Sequence, residues 1–237
     1  QFVQATTYTG NGATQKITTG LKPDLVWLKA RGNGYHHRLY DSVRGLGSLR
    51  SDNTGAVNSD VNSTLRTYDA DGFTLLQNSD EEYNANAATY VAWTWRAGGN
   101  KNTFNVDDVG YASAAAAGLD GGSINPTGAS VGTKQGFSII KWESDGSNHT
   151  VSHGLNEALA FLVIRQYSGT ENWAVYHKDM GGNNGYLQLN STLPFTTNAA
   201  PFNSTDPTSS VFSYNNTSIG GGSGNNVLAL CWHDVPG

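Results

Sequence analysis

The sequence predicts an all-β chain: two tandem, homologous, jelly-roll-like β-sandwich repeats joined by a Gly/Ala/Ser-rich bridge that holds one short helix. Three observations predict it. Short runs rich in β-branched and aromatic residues recur between Gly, Asn, Asp and Pro turns. No stretch sustains a 3.6-residue apolar period. The two halves of the chain also match one another in order, with only short insertions between them.

In the first repeat, residues 1–99, the strand candidates are 15–19, 24–30, 36–43, 49–51, 65–68, 73–77 and 89–96. The turn signals between them are "TGNG", "KPD", "RGNG", "DADG" and "RAGG". The closing strand "ATYVAWTWRAGG" puts Val91, Trp93 and Trp95 on one face, and Tyr90, Ala92, Thr94 and Arg96 on the other. The large apolar face is the one expected in the core.

The second repeat, 136–237, is read from its match to the first. Residues 8–31 pair without a gap with 142–165, placing Gly20 against Gly154 and Arg31 against Arg165. "RLYDSVRG" then pairs with "AVYHKDMG", and Leu49 with Leu187. The chain ends on "NVLALCWHDVPG", where Leu228, Leu230 and Trp232 repeat the pattern of Val91, Trp93 and Trp95. Leucine in a tryptophan's place argues for burial, since leucine cannot stack on a sugar as an indole can. Between the repeats, the bridge 100–135 is rich in Gly, Ser, Thr and Asn. It is expected to lie across the surface, with one short helix in "DVGYASAAAAGLDGG", favoured by four alanines and stopped at Gly118.

Composition narrows the function. Only 14% of the 237 residues are charged, the net charge is −5 and there is no basic cluster, which argues against nucleic-acid binding. Mean hydropathy is −0.43, and the polarity comes from Gly, Asn, Ser and Thr rather than from ions. The single cysteine, Cys231, cannot form an internal disulfide and reads as a buried thiol beside Trp232. No run approaches a membrane span, so membrane insertion is not expected. The first residue is Gln1, which reads as a piece of something longer.

Clusters that resemble chemistry have structural readings. "YDADGF" begins like a calcium loop but lacks the later ligands, so a tight turn is expected. His36 and His37 are adjacent and face opposite sides of a strand, so they cannot share a metal there. Asp41 and Arg44 are spaced to pair structurally. Asp80, Glu81, Glu82, Asp107 and Asp108 read as solvated charge in loops rather than a glycosidase pair. No nucleophile elbow, zinc spacing or phosphate-cradling loop is present. No catalytic residue, metal or cofactor is therefore assigned. The binding candidates are the matching loops 32–36 and 168–173, with Asn33, Tyr35, His36, Asn172 and Trp173, because loops on rigid β scaffolds carry recognition.

The motif order "YTGNG…TGLKPDLVWLKAR", "LYDSVRG", "DADGFTL", "YVAWTWRAGG", "GYASAAAAGL", "GFSIIKWESDG" and "NWAVYHKDMG" resembles a repeated β domain of tailed-phage virion proteins. These are tail-fibre, receptor-binding or appendage proteins, many of them from marine phages. The resemblance covers almost all of the chain. It implies a non-enzymatic structural protein on the virion, a homo-oligomer in contact with other virion proteins, that presents or spaces a surface binding a host glycan. A capsid decoration protein and a tailspike-like polysaccharide depolymerase are the alternative expectations.

Overall fold

The computed structural model describes residues 2–32, 34–58, 65–76, 81–180, 185–198 and 200–235, apart from the side chain of Arg66. Asn33, Asp80, Gly181 and the end of the 73–77 candidate lie outside them. The chain is nearly all β. Among the described residues the helical pieces are two 3-10 turns, Ala200–Phe202 and Asn216–Ser218.

The first eight strands are β1 (Val3–Thr9), β2 (Gln15–Thr18), β3 (Leu25–Ala30), β4 (Arg38–Asp41), β5 (Leu49–Arg50), β6 (Leu65–Asp69), β7 (Gly72–Leu75) and β8 (Thr89–Trp95). They form a five-stranded sheet in the order β1-β8-β3-β4-β5 and a three-stranded sheet in the order β2-β7-β6. All of the expected strands in this half are present, within two or three residues at their ends. β1 is additional: "VQATTYT" is rich in β-branched residues and alternates in exposure, but its uncharged polar side chains give neither face an apolar run.

Next come β9 (Phe104–Val106), β10 (Val109–Tyr111) and β11 (Gly128–Gly132). They are followed by β12 (Phe137–Glu143), β13 (His149–Ser152), β14 (Leu159–Gln166), β15 (Ala174–His177), β16 (Leu187–Gln188), β17 (Val211–Tyr214) and β18 (Asn226–His233). An eight-stranded sheet runs β10-β9-β11-β12-β18-β14-β15-β16, and β13 pairs with β17 in a two-stranded sheet.

Two expectations about the bridge are corrected. It is not a surface connection: β9, β10 and β11 extend the large sheet, and every residue of β11 is buried. The alanine run is not a helix. Ala117 N–H donates to Ser113 O at 3.2 Å, and Leu119 N–H then closes back on Ala114 O at 2.8 Å. A single such turn cannot offset helix nucleation, and Gly118 enters the left-handed region at φ +69° and ends it.

Three apolar layers separate four sheets. Val26, Leu28, Tyr40 and Ala92 on one face of the five-stranded sheet pack on Ile17, Phe73 and Leu75 of the three-stranded sheet. The other face, with Leu25, Leu39 and Leu49, packs on Ile139, Val163, Val175 and Leu230 of the large sheet. The far face of the large sheet, with Trp142, Leu162 and Ile164, packs on Val151, Phe212 and Tyr214 of the two-stranded sheet. Because sheet faces alternate residue by residue, both faces of β8 meet other sheets. The face carrying Tyr90, Ala92 and Thr94, expected to be the outer one, is completely buried.

Candidate functional site

The layer between the two large sheets is closed at its centre and open at one rim. There β3 and β8 pair in the register Trp27↔Trp93 and Leu25↔Trp95, so three indoles share one face. Trp93 is 37% exposed, and Trp27 and Trp95 are half-buried. This corrects the expectation that Trp93 is core. Trp93 lies beyond the overlap of the sheets, whereas Leu230, aligned with it in the sequence and placed on β18, lies inside it at 3% exposure. A shared strand position does not imply shared coverage when two sheets stack out of alignment.

The indoles form a groove of about 360 Å³ lined by Trp27, Lys29, His37, Trp93 and Trp95. Trp27 and Trp93 meet edge-on, with centroids 6.3 Å apart, and Trp27 lies 6.4 Å from Trp95. The cluster continues inward: Trp95 meets Trp232 edge-on at 6.5 Å, and Trp232 stacks on Phe137 at 4.7 Å. The inner rings thereby hold the outer ones in place. Trp27 is fixed further by its indole N–H, which donates to Ser51 Oγ at 2.9 Å.

Polar groups sit at the rim. Lys29 Nζ donates to Tyr35 O at 2.8 Å, tying the 34–37 segment to the groove. Burial lowers the pKa of His37 from its ordinary value, against the opposing charge of Asp52 and with Lys29 and His36 adding to burial, so the neutral ring predominates at neutral pH. A neutral imidazole both donates and accepts hydrogen bonds.

Of the sequence candidates, Tyr35 and His36 lie beside this groove. Tyr35 Oη donates to Glu81, and His36 Nδ1 lies 2.9 Å from Asp52 Oδ2. Asn33 lies outside the described residues. Asn172 is exposed and accepts from Asn190 Nδ2 at 2.9 Å. Trp173 presents no face to solvent, being 0% exposed. Its indole N–H donates to Arg50 O at 3.0 Å, and the Arg165 guanidinium lies 4.8 Å from its ring centroid. The two loops therefore do not form a matched pair of sites. The 50–55 segment runs between them, holding His36 through Asp52 and enclosing Trp173 through Arg50.

The charged clusters resolve into structural pairs. Arg44 Nε meets Asp41 Oδ2 at 2.5 Å with both side chains buried, as the spacing suggested. The "DADG" turn is a tight hairpin in which Asp69 Oδ1 accepts from Thr67 at 2.8 Å and Oδ2 from Thr74 at 2.7 Å. Glu82 corrects the solvated-charge reading: it is buried between Arg38 and Arg50, with the Arg50 contact at 2.9 Å. Cys231 is buried, and burial raises its thiol pKa far above the ordinary value. Among the described residues no three His, Cys, Asp or Glu side chains are grouped to hold a metal ion. A second, polar cavity of about 470 Å³ includes Glu157, Tyr176, Lys178, Asp206, His233 and Asp234. There Lys178 is paired with Asp234, and Tyr176 Oη donates to Asp206 at 3.1 Å.

Trp27, Trp93, Trp95, Lys29 and His37 were missed as site residues by sequence reasoning. One signal was available. Lys29 stands two residues from Trp27, on the same strand face, and a lysine is almost never fully buried. That face of β3 must therefore reach solvent at its Lys29 end.

A family model described as a domain of unknown function (DUF7483) matches residues 1–237. No curated protein and no solved structure matches the chain.

Proposed function

We propose that this chain, which belongs to the family of that domain of unknown function (DUF7483), is a non-enzymatic virion module, of a tail fibre or appendage, whose tryptophan groove takes a saccharide of the host surface. The observation that carries the reading is the open groove of three indoles on paired strands. Indole faces pack against the C–H faces of a sugar ring, and few polar groups are then needed to fix its orientation. The neutral imidazole of His37 suits hydroxyl groups. The virion setting rests on the motif order given above.

The test is titration of the intrinsic tryptophan fluorescence with host-surface oligosaccharides, alongside an assay for new reducing ends. Quenching that Trp93→Ala abolishes, with no reducing ends formed, supports the reading. Absence of quenching by any host glycan overturns the saccharide assignment, and new reducing ends overturn the non-enzymatic one.

We also infer that the chain is a duplication of one β-sandwich unit. Several arrangements support this. The order β12-β18-β14-β15-β16 repeats β1-β8-β3-β4-β5, and β13·β17 repeats β2·β7. The pair Val3↔Trp95 recurs as Phe137↔Trp232, and Gln15↔Leu75 as His149↔Tyr214. The aligned glycines Gly20 and Gly154 share a left-handed φ, +80° and +73°. One register departs from the ungapped sequence match. Trp27↔Trp93 is repeated by Val163↔Leu230, so Phe161 lies two residues off, on the same face. An irregularity between Leu159 and Phe161 accounts for one residue of that difference.

A further inference from the structure

Among the described residues, β1 is the longest strand at any sheet edge, seven residues with no charge, glycine or proline. Edges of this kind pair with other strands unless they are blunted. The remaining edge strands are shorter: β5 and β16 have two residues each and β10 three. Lys16 stands on β2, and Asp69 on β6.

The ladder shows which groups β1 turns outward. Phe2 O accepts from Arg96 N–H at 2.9 Å, and Gly10 N–H donates to Ala88 O at 2.8 Å. Antiparallel alternation then makes the even-numbered residues the hydrogen-bonded partners of β8, and turns the N–H groups of Ala5 and Thr7 to the open side. Their side chains are exposed as well. In the large sheet the strand in the same position, β12, is not an edge. β11 covers it antiparallel, in the register Ser130↔Ile139. This sheet design therefore accepts an antiparallel strand at that edge.

We propose that β1 is the dimerisation edge of this chain, pairing antiparallel with β1 of a second copy about a two-fold axis at Thr6. In that register Ala5 faces Thr7 of the second copy, and both supply outward-turned N–H groups, while Ala5 O also accepts from the exposed Gln4 side-chain amide at 2.9 Å. The strand is uncharged, so self-pairing brings no like charges together. A two-fold interface requires such self-complementarity, and a single second copy of the same chain satisfies it.

The arrangement deepens the saccharide reading and, in that respect, rests on it. Trp93 stands opposite Ala5 on β8, so the grooves of both copies open on the same face of one continuous ten-stranded sheet. Three strand spacings separate the two Trp93 side chains, roughly 15 Å. Two weak sites so placed gain avidity on a multivalent surface.

The experiment is sedimentation velocity on the whole chain, with circular dichroism as the folding control. The wild type is expected to dimerise reversibly. Ala5→Lys with Thr7→Lys places like charges opposite one another twice, and is expected to weaken dimerisation roughly tenfold or more. Ala5→Lys with Thr7→Glu places opposite charges together in the same register, and is expected to restore it. A wild type that stays monomeric at every concentration reached overturns the proposal. So does a dimer indifferent to the double lysine variant, or one lost equally in both variants. A monomeric wild type that binds a peptide of the β11 sequence also overturns it, and assigns the edge to a strand from elsewhere. A monomeric result leaves single-site saccharide binding untouched. Conversely, a dimer that binds no saccharide overturns the groove reading alone, and Trp93→Ala is expected to leave the dimer intact.

Discussion

Trp93 and Trp173 carry the same side chain into opposite surroundings, 37% and 0% exposed. Trp93→Ala is expected to lower the unfolding free energy by about 1–2 kcal/mol, less than a fully enclosed indole would cost, while removing saccharide quenching. Trp173→Ala is expected to cost about 3–5 kcal/mol and to strand the Arg50 carbonyl that its indole satisfies. Denaturant melts of the two variants check both values. Trp95 and Trp232 are half-buried, so their alanine variants should fall between these limits. His153 supplies a pH dependence. Its Nε2–H donates to Thr208 O at 3.1 Å, and its Nδ1 accepts from Leu155 N–H at 3.2 Å. Both nitrogens are thus committed to the neutral ring, and burial lowers the pKa to about 4. The unfolded chain binds this proton near the ordinary 6.5, so the contribution is fully present above that pH. It is lost as pH falls from about 6.5 towards 4, by up to roughly 3 kcal/mol. Urea melts at several pH values should show the decline, and His153→Gln should flatten it.

The elements are held together by contacts that the strand pattern does not reveal. Arg165 on β14 is 0% exposed, and its guanidinium donates to Arg50 O at 3.2 Å, to Asn53 O at 3.1 Å and to Gly55 O. Burial lowers its pKa to about 10, so it stays charged at neutral pH. One side chain of the large sheet thereby organises the loop that supports His36 and Trp27. Arg165→Ala is expected to cost about 2–3 kcal/mol by removing a buried side chain and the donor of those part-buried carbonyls, and to weaken saccharide binding indirectly. Arg165→Met, which refills the volume, should recover packing but not the loop, a difference that amide exchange in 50–55 would report. The "RAGG" stop after β8 has a similar origin. A Cβ on Gly98 would strike the backbone oxygens of Val131 and Asn105, where the first large sheet meets β9 and β11. Gly98→Ala is expected to destabilise by about 1–3 kcal/mol through overpacking, and a thermal melt checks it. In the sequence this glycine reads only as a turn. Its role depends on a strand more than thirty residues away.

At the scale of the molecule, the four stacked sheets leave an apolar rim open among the described residues, and that rim is the tryptophan groove. Isothermal titration with monovalent and multivalent forms of one host oligosaccharide should show weak binding to the first and stronger binding to the second; equal affinities would mean that the sites act singly. The sequence by itself determined the β class, most strand positions, the turn chemistry, the buried thiol and the Asp41–Arg44 pair. Each depends on neighbours a few residues apart: alternation, turn residues or short-range pairing. It also contained the internal match from which the repeated unit is inferred. The tertiary structure decided which apolar face is core and which is rim. β3 and β8 have two apolar faces each, and alternation cannot say which is covered at a given point. Coverage depends on how far one sheet slides over another, set by long-range contacts such as Trp95 with Trp232 and Arg165 with the 50–55 loop. For the same reason Trp173, in a loop that reads as exposed, is enclosed, while Trp93, in a strand that reads as core, is open to solvent.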